Sequence, residues 1–576
     1  MRRALALVLF ILAGVTPAEV RATGAAFCVG DCNGDGMVTV DELIRGINIA
    51  LGTLSVDDCP VFDSSGEGMV TVDEIVTAVA NGLNGCPAVS STPTPTMAPS
   101  ATPTATQIGP VPVRVLAVTD GPFGNPNTII TSLGTPIISP LGFVVVTAEL
   151  TEGSSMREAL LRLSPDGGRS ILLQGGQAIP NSGATLGSIS QANAKSNGVF
   201  AFVDAATGAS LLQIVDTTIT PVIGLGASGA RADFESRMFA VPTGGGSVVA
   251  DVFGPGGMRG IVAIPLGSNI APIVIASVGD TLSYRNNEGV LVNAMALGFG
   301  SPFAATGAGT ARLGLEPELE AVLAFSFDED MLLDRQVPLV EGNQAPGVAQ
   351  GTTFSKLPGV TIGGMTGSVR GFLADLEQSE FPGVNESAVF ITDPNYVPLF
   401  VFQAGAPVPD AVDATIDSPD QPAMGLQAAA VSYDLVDDDD IPHEALGFVD
   451  YETPTFNTVA VAGEPAPGGG EFAGVSRSYA INENGVLVFR AGLGGNQAAY
   501  YAASTTNPAE PVRRLVGTGD TVAPPEGGSA TITALGLIPA TSGLGGEATA
   551  VGAIHFTVSA TLDNDQGAIL LVEIGD

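Results

Sequence analysis

The sequence predicts a mainly β protein assembled from repeated units, with a small helical module ahead of them. Three observations carry this. The chain of 576 residues holds 75 Gly and 41 Pro, yet its mean hydropathy is +0.36, the signature of apolar strands cut by turns rather than of a disordered acidic chain. From residue 111 onward, a run of Val, Leu and Ile leads again and again into Gly, with Pro a few residues later. Near the start, one acidic phrase is written twice, "GDCNGDGMVTVDEL" at 30 and "FDSSGEGMVTVDEI" at 62.

The first residues fit a secretory signal peptide. Arg2 and Arg3 form the charged start, residues 4–15 the apolar run, and Ala22 ends a cleavage-like "VRA". That run is too short to span a bilayer as a helix, and no later stretch is long and apolar enough, so an exported and released protein is expected. All four cysteines, Cys28, Cys32, Cys59 and Cys86, fall in the short N-terminal module. In an exported protein they read as two disulfides with three pairings open, of which Cys28 with Cys86 is preferred because the ends of a pseudo-symmetric module lie together. A zinc site is the alternative, disfavoured by the spacings and by the lack of a nearby His.

The repeated phrase fits a calcium loop. In the first copy Asp31, Asn33, Asp35, Met37, Thr39 and Glu42 stand at positions 1, 3, 5, 7, 9 and 12; in the second, Asp63, Ser65, Glu67, Met69, Thr71 and Glu74 do. Calcium takes six to eight hard oxygens, and alternate residues of a tight loop can turn them inward. The methionines offer only backbone carbonyls, and Gly36 and Gly68 supply the sharp bend. Leu43, Ile44, Ile47 and Leu51, then Ile75, Val76, Val79 and Leu83, recur at helical spacing, and each run ends near Gly. Two copies in register make calcium the expected cofactor of residues 28–87.

This region resembles a dockerin domain, a pair of loop-plus-helix calcium repeats. The resemblance implies the fold, the calcium and a cohesin-like partner. Dockerin loops usually end in Asp, whereas these end in Glu42 and Glu74, which puts the cohesin contact in doubt; a stand-alone calcium-stabilised spacer is the other reading. Residues 88–110, "AVSSTPTPTMAPSATPTATQIGP", alternate Thr and Pro and read as an extended linker.

Residues 111–576 form the repeat domain. Marker glycines stand at Gly176, Gly342, Gly405, Gly463 and Gly519, with weaker copies at Asp120, Gly226 and Gly279, so that eight units follow one another at intervals of 50 to 63 residues. A second marker, Gly142, Gly198, Gly289 or Gly485, opens a strand after an Asn or Ser turn. About four short strands per unit, repeated eight times, fit a β-propeller, because one four-stranded blade cannot bury both faces and a ring of blades buries them all. "EALLRL" and "GAILLVEI" read as closing strands. Seven blades with one irregular unit, a β-solenoid, or a string of sandwiches would house the same pattern.

The phrase "INENGVLVFRAGL" resembles the N-x-x-G-x-x-x-F-R-A tandem repeats of large exported bacterial proteins, with Asn482, Gly485, Phe489, Arg490 and Ala491 matching. The resemblance implies architecture rather than activity, and the Asn and Gly read as turn residues tolerating positive φ.

The chain carries 59 Asp+Glu against 21 Lys+Arg, a net charge of −38, which disfavours nucleic acid as a partner. Trp is absent, which weakens sugar stacking on indole. Of the two histidines, His555 lies in a strand pattern, and His443 follows Asp437–Asp440 on what reads as a solvated acidic loop. No nucleophile elbow, zinc-helix, phosphate-loop or catalytic-cysteine motif is present, so no catalytic residue is assigned. The expected function is a secreted, non-catalytic binding or scaffold protein presenting a propeller surface to a protein or glycan. The alternative is a hydrolase of extracellular polymer, which a cluster of acids and arginines around one axial pocket would favour.

Overall fold

A computed structural model of the chain describes residues 38–50 and a few positions between 32 and 78 in one unit. In the other it describes residues 111–574 apart from short stretches, the longest 225–234 and 543–551. The division between the two compact units falls between Thr104 and Ala105.

In the N-terminal unit, helix Val40–Ala50 follows the first calcium-loop sequence. Its buried side is not the one the periodicity suggests: Ile44 and Ile47 are exposed, while Ile49 joins Val38, Cys59, Phe62, Val70 and Ala78 in a small core. Gly46 explains the shift, because a Cβ there would collide with the ring of Phe62. Cys32 is bonded to Cys59, which excludes both pairings that join Cys32 to Cys28 or Cys86 and leaves the preferred one. Cys28 and Cys86 themselves lie outside the described residues, as does the marker Gly226 of the repeat domain.

The repeat domain is an eight-bladed β-propeller, each blade a mainly antiparallel sheet of four to six strands. Blades 1 to 8 occupy residues 122–174, 186–224, 235–277, 281–340, 352–403, 415–461, 474–517 and 521–573. In each, the chain works outward from the innermost strand, which a short added strand precedes in blades 1, 4 and 8. The last blade is the exception. Its third strand, Gly567–Glu573, pairs with Val113–Val118 from the start of the domain, in a register running from Val113 opposite Val572 to Val118 opposite Ala568. "GAILLVEI" is therefore not the closing strand of its blade. Nor is "EALLRL", which lies in Ser155–Leu163 with Arg169–Gln174 outside it.

Strand alternation distributes the core between blades. In strand Val486–Gly492, Val486 and Val488 face a cluster shared with Phe556, Val558 and Leu570 of blade 8. Leu487, Phe489 and Ala491 face a cluster shared with Leu446 and Phe448 of blade 6. Every blade thus buries both faces against neighbours, which an isolated blade could not do.

The marker glycines share one geometry. Gly176, Gly279, Gly342, Gly405, Gly463 and Gly519 all have φ between +81° and +94°, and Asp120 substitutes with φ 59°. In the six glycine copies, a hydrogen bond from the residue after the marker reaches back three positions, as from Asn343 N to Val340 O at 3.1 Å, closing a type II turn with Gly at its third position. The marker N–H then donates to one residue in or just before the next blade's inner strand, which donates back to the carbonyl after the marker. Gly342 N to Phe354 O (2.7 Å) with Phe354 N to Asn343 O (3.0 Å) is one case, and the same reciprocal pair recurs at all seven described markers.

The second markers divide. Gly142, Gly198 and Gly485 precede the second strand of their blades, but Gly289 precedes the innermost strand Leu291–Ala305 and lies in an added hairpin with Thr281–Arg285. The Asn of the motif does not take positive φ. Asn482 Oδ1 accepts from Asn484 N and Val486 N (3.0 and 2.7 Å), and Asn286 Oδ1 accepts from Glu288 N and Val290 N (3.1 and 2.9 Å), while the following Gly supplies the left-handed turn. The motif is thus an Asn-capped three-residue hairpin loop. Buried Asn482 also donates to Gly552 O at 2.9 Å, tying blade 7 to blade 8.

Residues 111–576 should fold without the N-terminal unit, and a chain begun at residue 120, which lacks the closing strand, should melt roughly 5 °C lower or more by calorimetry. Equal midpoints would show that the Val113–Val118 pairing does not hold the ring.

Candidate functional site

Because inner strands run away from the marker turns, one rim of the propeller carries those turns together with the hairpins joining second and third strands. The reciprocal hydrogen bonds fix both ends of each entering loop, but the loops between differ: Phe472 follows Gly463 by 9 positions, and Ala296 follows Gly279 by 17. The longest contains the added hairpin of blade 4. Its tip rests on the next marker turn, where Asn287 donates to Gly342 O at 2.9 Å and Asn343 donates to Arg285 O at 2.8 Å. Val290 and Leu291 beside it stay more than half exposed.

Two open cavities lie on this rim. One, of about 790 Å³, sits between blades 6 and 7 and is lined by His443, Glu471, Pro442, Pro465, Leu493 and glycine backbone. The other, of about 280 Å³, sits over blade 8, where Glu526 and Asp563 meet Asp120 from the start of the domain. In both, the loop entering a blade meets the hairpin of that same blade, so the two are quasi-equivalent. His443 is thereby placed at a cavity wall; Asp437–Asp440 lie outside the described residues.

A third feature lies at the innermost strand of blade 6. The innermost strand of blade 6 is interrupted after Thr415–Asp417, and Ser418 takes φ 41°. The interruption carries Asp420 to Arg477 on the inner strand of blade 7, at 2.7 Å, and Asp420 also accepts from Ser432 Oγ at 2.9 Å. Gln421 accepts from Leu373 N of blade 5 at 3.2 Å and from Tyr479 Oη at 3.1 Å, so three blades share the segment. Burial pushes the Tyr479 hydroxyl up to about 12. Asp434 stands directly opposite Asp417 in the strand pair. Burial raises the Asp434 pKa above the ordinary carboxylate value; Arg477 lowers it, and Asp417 and Asp420 raise it further. Sequence reading missed this cluster because its members are scattered from 417 to 477; "DSPDQP", two prolines and two acids where a strand is due, was the available signal.

His555 opens strand His555–Leu562, opposite Glu573. Burial lowers its pKa, against an upward pull from Glu573.

Of the twelve calcium-loop residues, Thr39 and Glu42 are described; Asp31, Asn33, Asp35, Met37, Asp63, Ser65, Glu67, Met69, Thr71 and Glu74 lie outside the described residues. Glu42 is buried. One carboxylate oxygen accepts from Cys32 N at 3.0 Å, and the other from Thr39 N and Thr39 Oγ1 at 2.8 Å each. The Glu42 carboxylate thus caps the helix start, taking up the backbone N–H of Thr39. Among the described residues, no three His, Cys, Asp or Glu side chains are grouped to hold a metal, and no helix is long and apolar enough to cross a membrane.

A protein-family model described as a family of unknown function (DUF7453) matches residues 314–557, from the middle of blade 4 into blade 8. No curated protein matches the chain. Among solved structures, the tricorn protease is 9% identical, with 77% of this chain and 44% of that chain covered at a TM-score of 0.29; the chain thus spans less than half of that protein's length. The Dos1 propeller is 10% identical, with 79% and 95% covered at 0.31. An α-L-arabinanase of Penicillium chrysogenum, complexed with arabinobiose, is 9% identical, with 80% and 97% covered at 0.23. The fold assignment rests on the strand order above.

The raised Asp434 pKa gives a signed expectation. The folded chain holds that proton more tightly than the unfolded chain, so ionised Asp434 costs stability at neutral pH, and the cost fades as pH falls through its folded pKa. Asp434→Asn should therefore raise the melting temperature at pH 7, with the gain gone near pH 4. A variant that melts lower at pH 7 would contradict the like-charge reading of Asp417 and Asp434.

Proposed function

We propose that the protein is an exported, calcium-binding, non-catalytic recognition protein, whose propeller presents its marker-turn rim to an extracellular protein or glycan. One observation carries the reading. The anchors of the entering loops repeat from blade to blade while the loops between them differ in length and sequence, the arrangement by which a rigid scaffold offers a variable surface. The N-terminal unit serves as a calcium-stabilised spacer or a docking module for a cohesin-like partner, with the twelve loop residues as ligands. Both calcium loops would be filled at the roughly 0.1 to 1 mM affinity of extracellular sites.

A second reading has its own support. Asp417, Asp420 and Asp434, on the first two strands of blade 6 beside Arg477 of blade 7, are the group an extracellular polymer hydrolase would need, with Asp434 as the proton-holding acid. Loss of reducing-end release in Asp434→Asn, on a polysaccharide that the parent cleaves, would favour it.

Photo-crosslinkers placed through Ser529→Cys on the marker-turn rim and Asp216→Cys on the opposite rim test the recognition surface. Incubated with exported proteins and glycans of the producing cells, the first should capture a partner and the second none. Equal yields from both rims, or none from either, would refute the reading. For the calcium module, Glu42→Gln with Glu74→Gln should abolish the calcium-induced rise in melting temperature of residues 23–90; a rise equal to the parent's would remove these residues as ligands.

A further inference from the structure

The two cavities on the marker-turn rim share an electrostatic property. Neither is lined by Lys or Arg. Among the described residues, the ion pairs engage Glu320, Asp280, Asp420, Glu510 and Asp520, but not the carboxylates at the cavities, Asp120, Glu471, Glu526 and Asp563. In a chain of net charge −38 these four acids stand outside those ion pairs, with His443 the one titratable base lining either cavity, and concave walls concentrate their field. The larger cavity adds apolar wall from Pro442, Pro465 and Leu493. Backbone at Gly463, Gly470 and Gly494 leaves that wall free of side chains, so another backbone can come close. Apolar wall with a carboxylate at its edge suits a side chain that has a methylene stem and a cationic head. A neutral sugar would use the carboxylates as acceptors but would gain nothing from their missing counter-charges.

We propose that these cavities are docking sites for a lysine- or arginine-bearing peptide segment of a partner protein. The inference rests on the marker-turn rim being the recognition surface and adds the chemistry of what it recognises. Two quasi-equivalent sites on adjoining parts of one rim would let a single extended segment engage both, and linked engagement strengthens binding without new contacts.

The test uses the full chain and octalysine as probe, followed by fluorescence anisotropy at low salt. A variant carrying Asp120→Asn, Glu471→Gln, Glu526→Gln and Asp563→Asn is compared with one carrying Asp166→Asn, Asp216→Asn, Asp328→Asn and Asp334→Asn. The second set removes equal charge at or beside hairpins of the opposite rim. The cavity variant should bind about tenfold more weakly, and the control within about twofold of the parent. Equal weakening in both would mean general attraction to an acidic chain and would overturn the assignment. Unchanged binding in the cavity variant would overturn it too. Melting temperatures of both variants at the parent's value establish that neither result reflects unfolding. Failure here leaves the crosslinking of the rim to decide the recognition surface on its own terms.

Discussion

The antiparallel pairing of Val113–Val118 with Gly567–Glu573 is the contact on which the ring depends. Each blade is a sheet with two apolar faces, and it is stable only when both are covered. In an open row of eight, the first and last blades would each leave one face in water. Pairing the first strand of the domain with the last blade removes that deficit in one step, because Leu116 and Ala117 of the incoming strand pack with Ile569 and Leu571 in the cluster of blade 1, while Val115 and Val118 pack in the cluster of blades 7 and 8.

Within the closed ring, spacing is set by the marker turn. A type II turn needs positive φ at its third position, and Gly adopts it without steric cost. Six of the seven described markers are Gly, and the seventh is Asp, which tolerates the left-handed region better than most residues. The reciprocal hydrogen bonds that follow satisfy backbone groups at the point where one sheet ends and the next begins. They also leave the loop beyond them free to vary, which is how one scaffold accommodates an added hairpin in blade 4 and a short Gly-rich loop before blade 7.

The repeat was legible because its anchors are backbone requirements, and such requirements restrict residue type at fixed positions. Gly342 and Gly405 announce themselves for that reason. The strand before Asp120 was legible as a strand, but not as the outer strand of blade 8, because its partner lies more than 450 residues away and pairing at that distance leaves no local mark. The role of Asn482 was half legible: its place in a turn could be read, but its side-chain carbonyl capping two N–H groups could not. The helix face was misjudged because Gly46 reads as a gap in an apolar stripe when it is the point where Phe62 packs. The Asp417–Arg477 cluster stayed hidden because its members meet only across three blades.

The register of the closing pair has a mechanical consequence. Val113 and Val572 sit side by side, so the chain enters and leaves the propeller at the same end of the same strand pair. Tension between the segments flanking residues 113 and 573 would load the hydrogen bonds one after another, peeling the pair rather than shearing all of it at once. A ring that resists heat through its whole buried surface would then open under pull at its weakest seam, acting as a fuse that releases the outer strand before any blade unfolds.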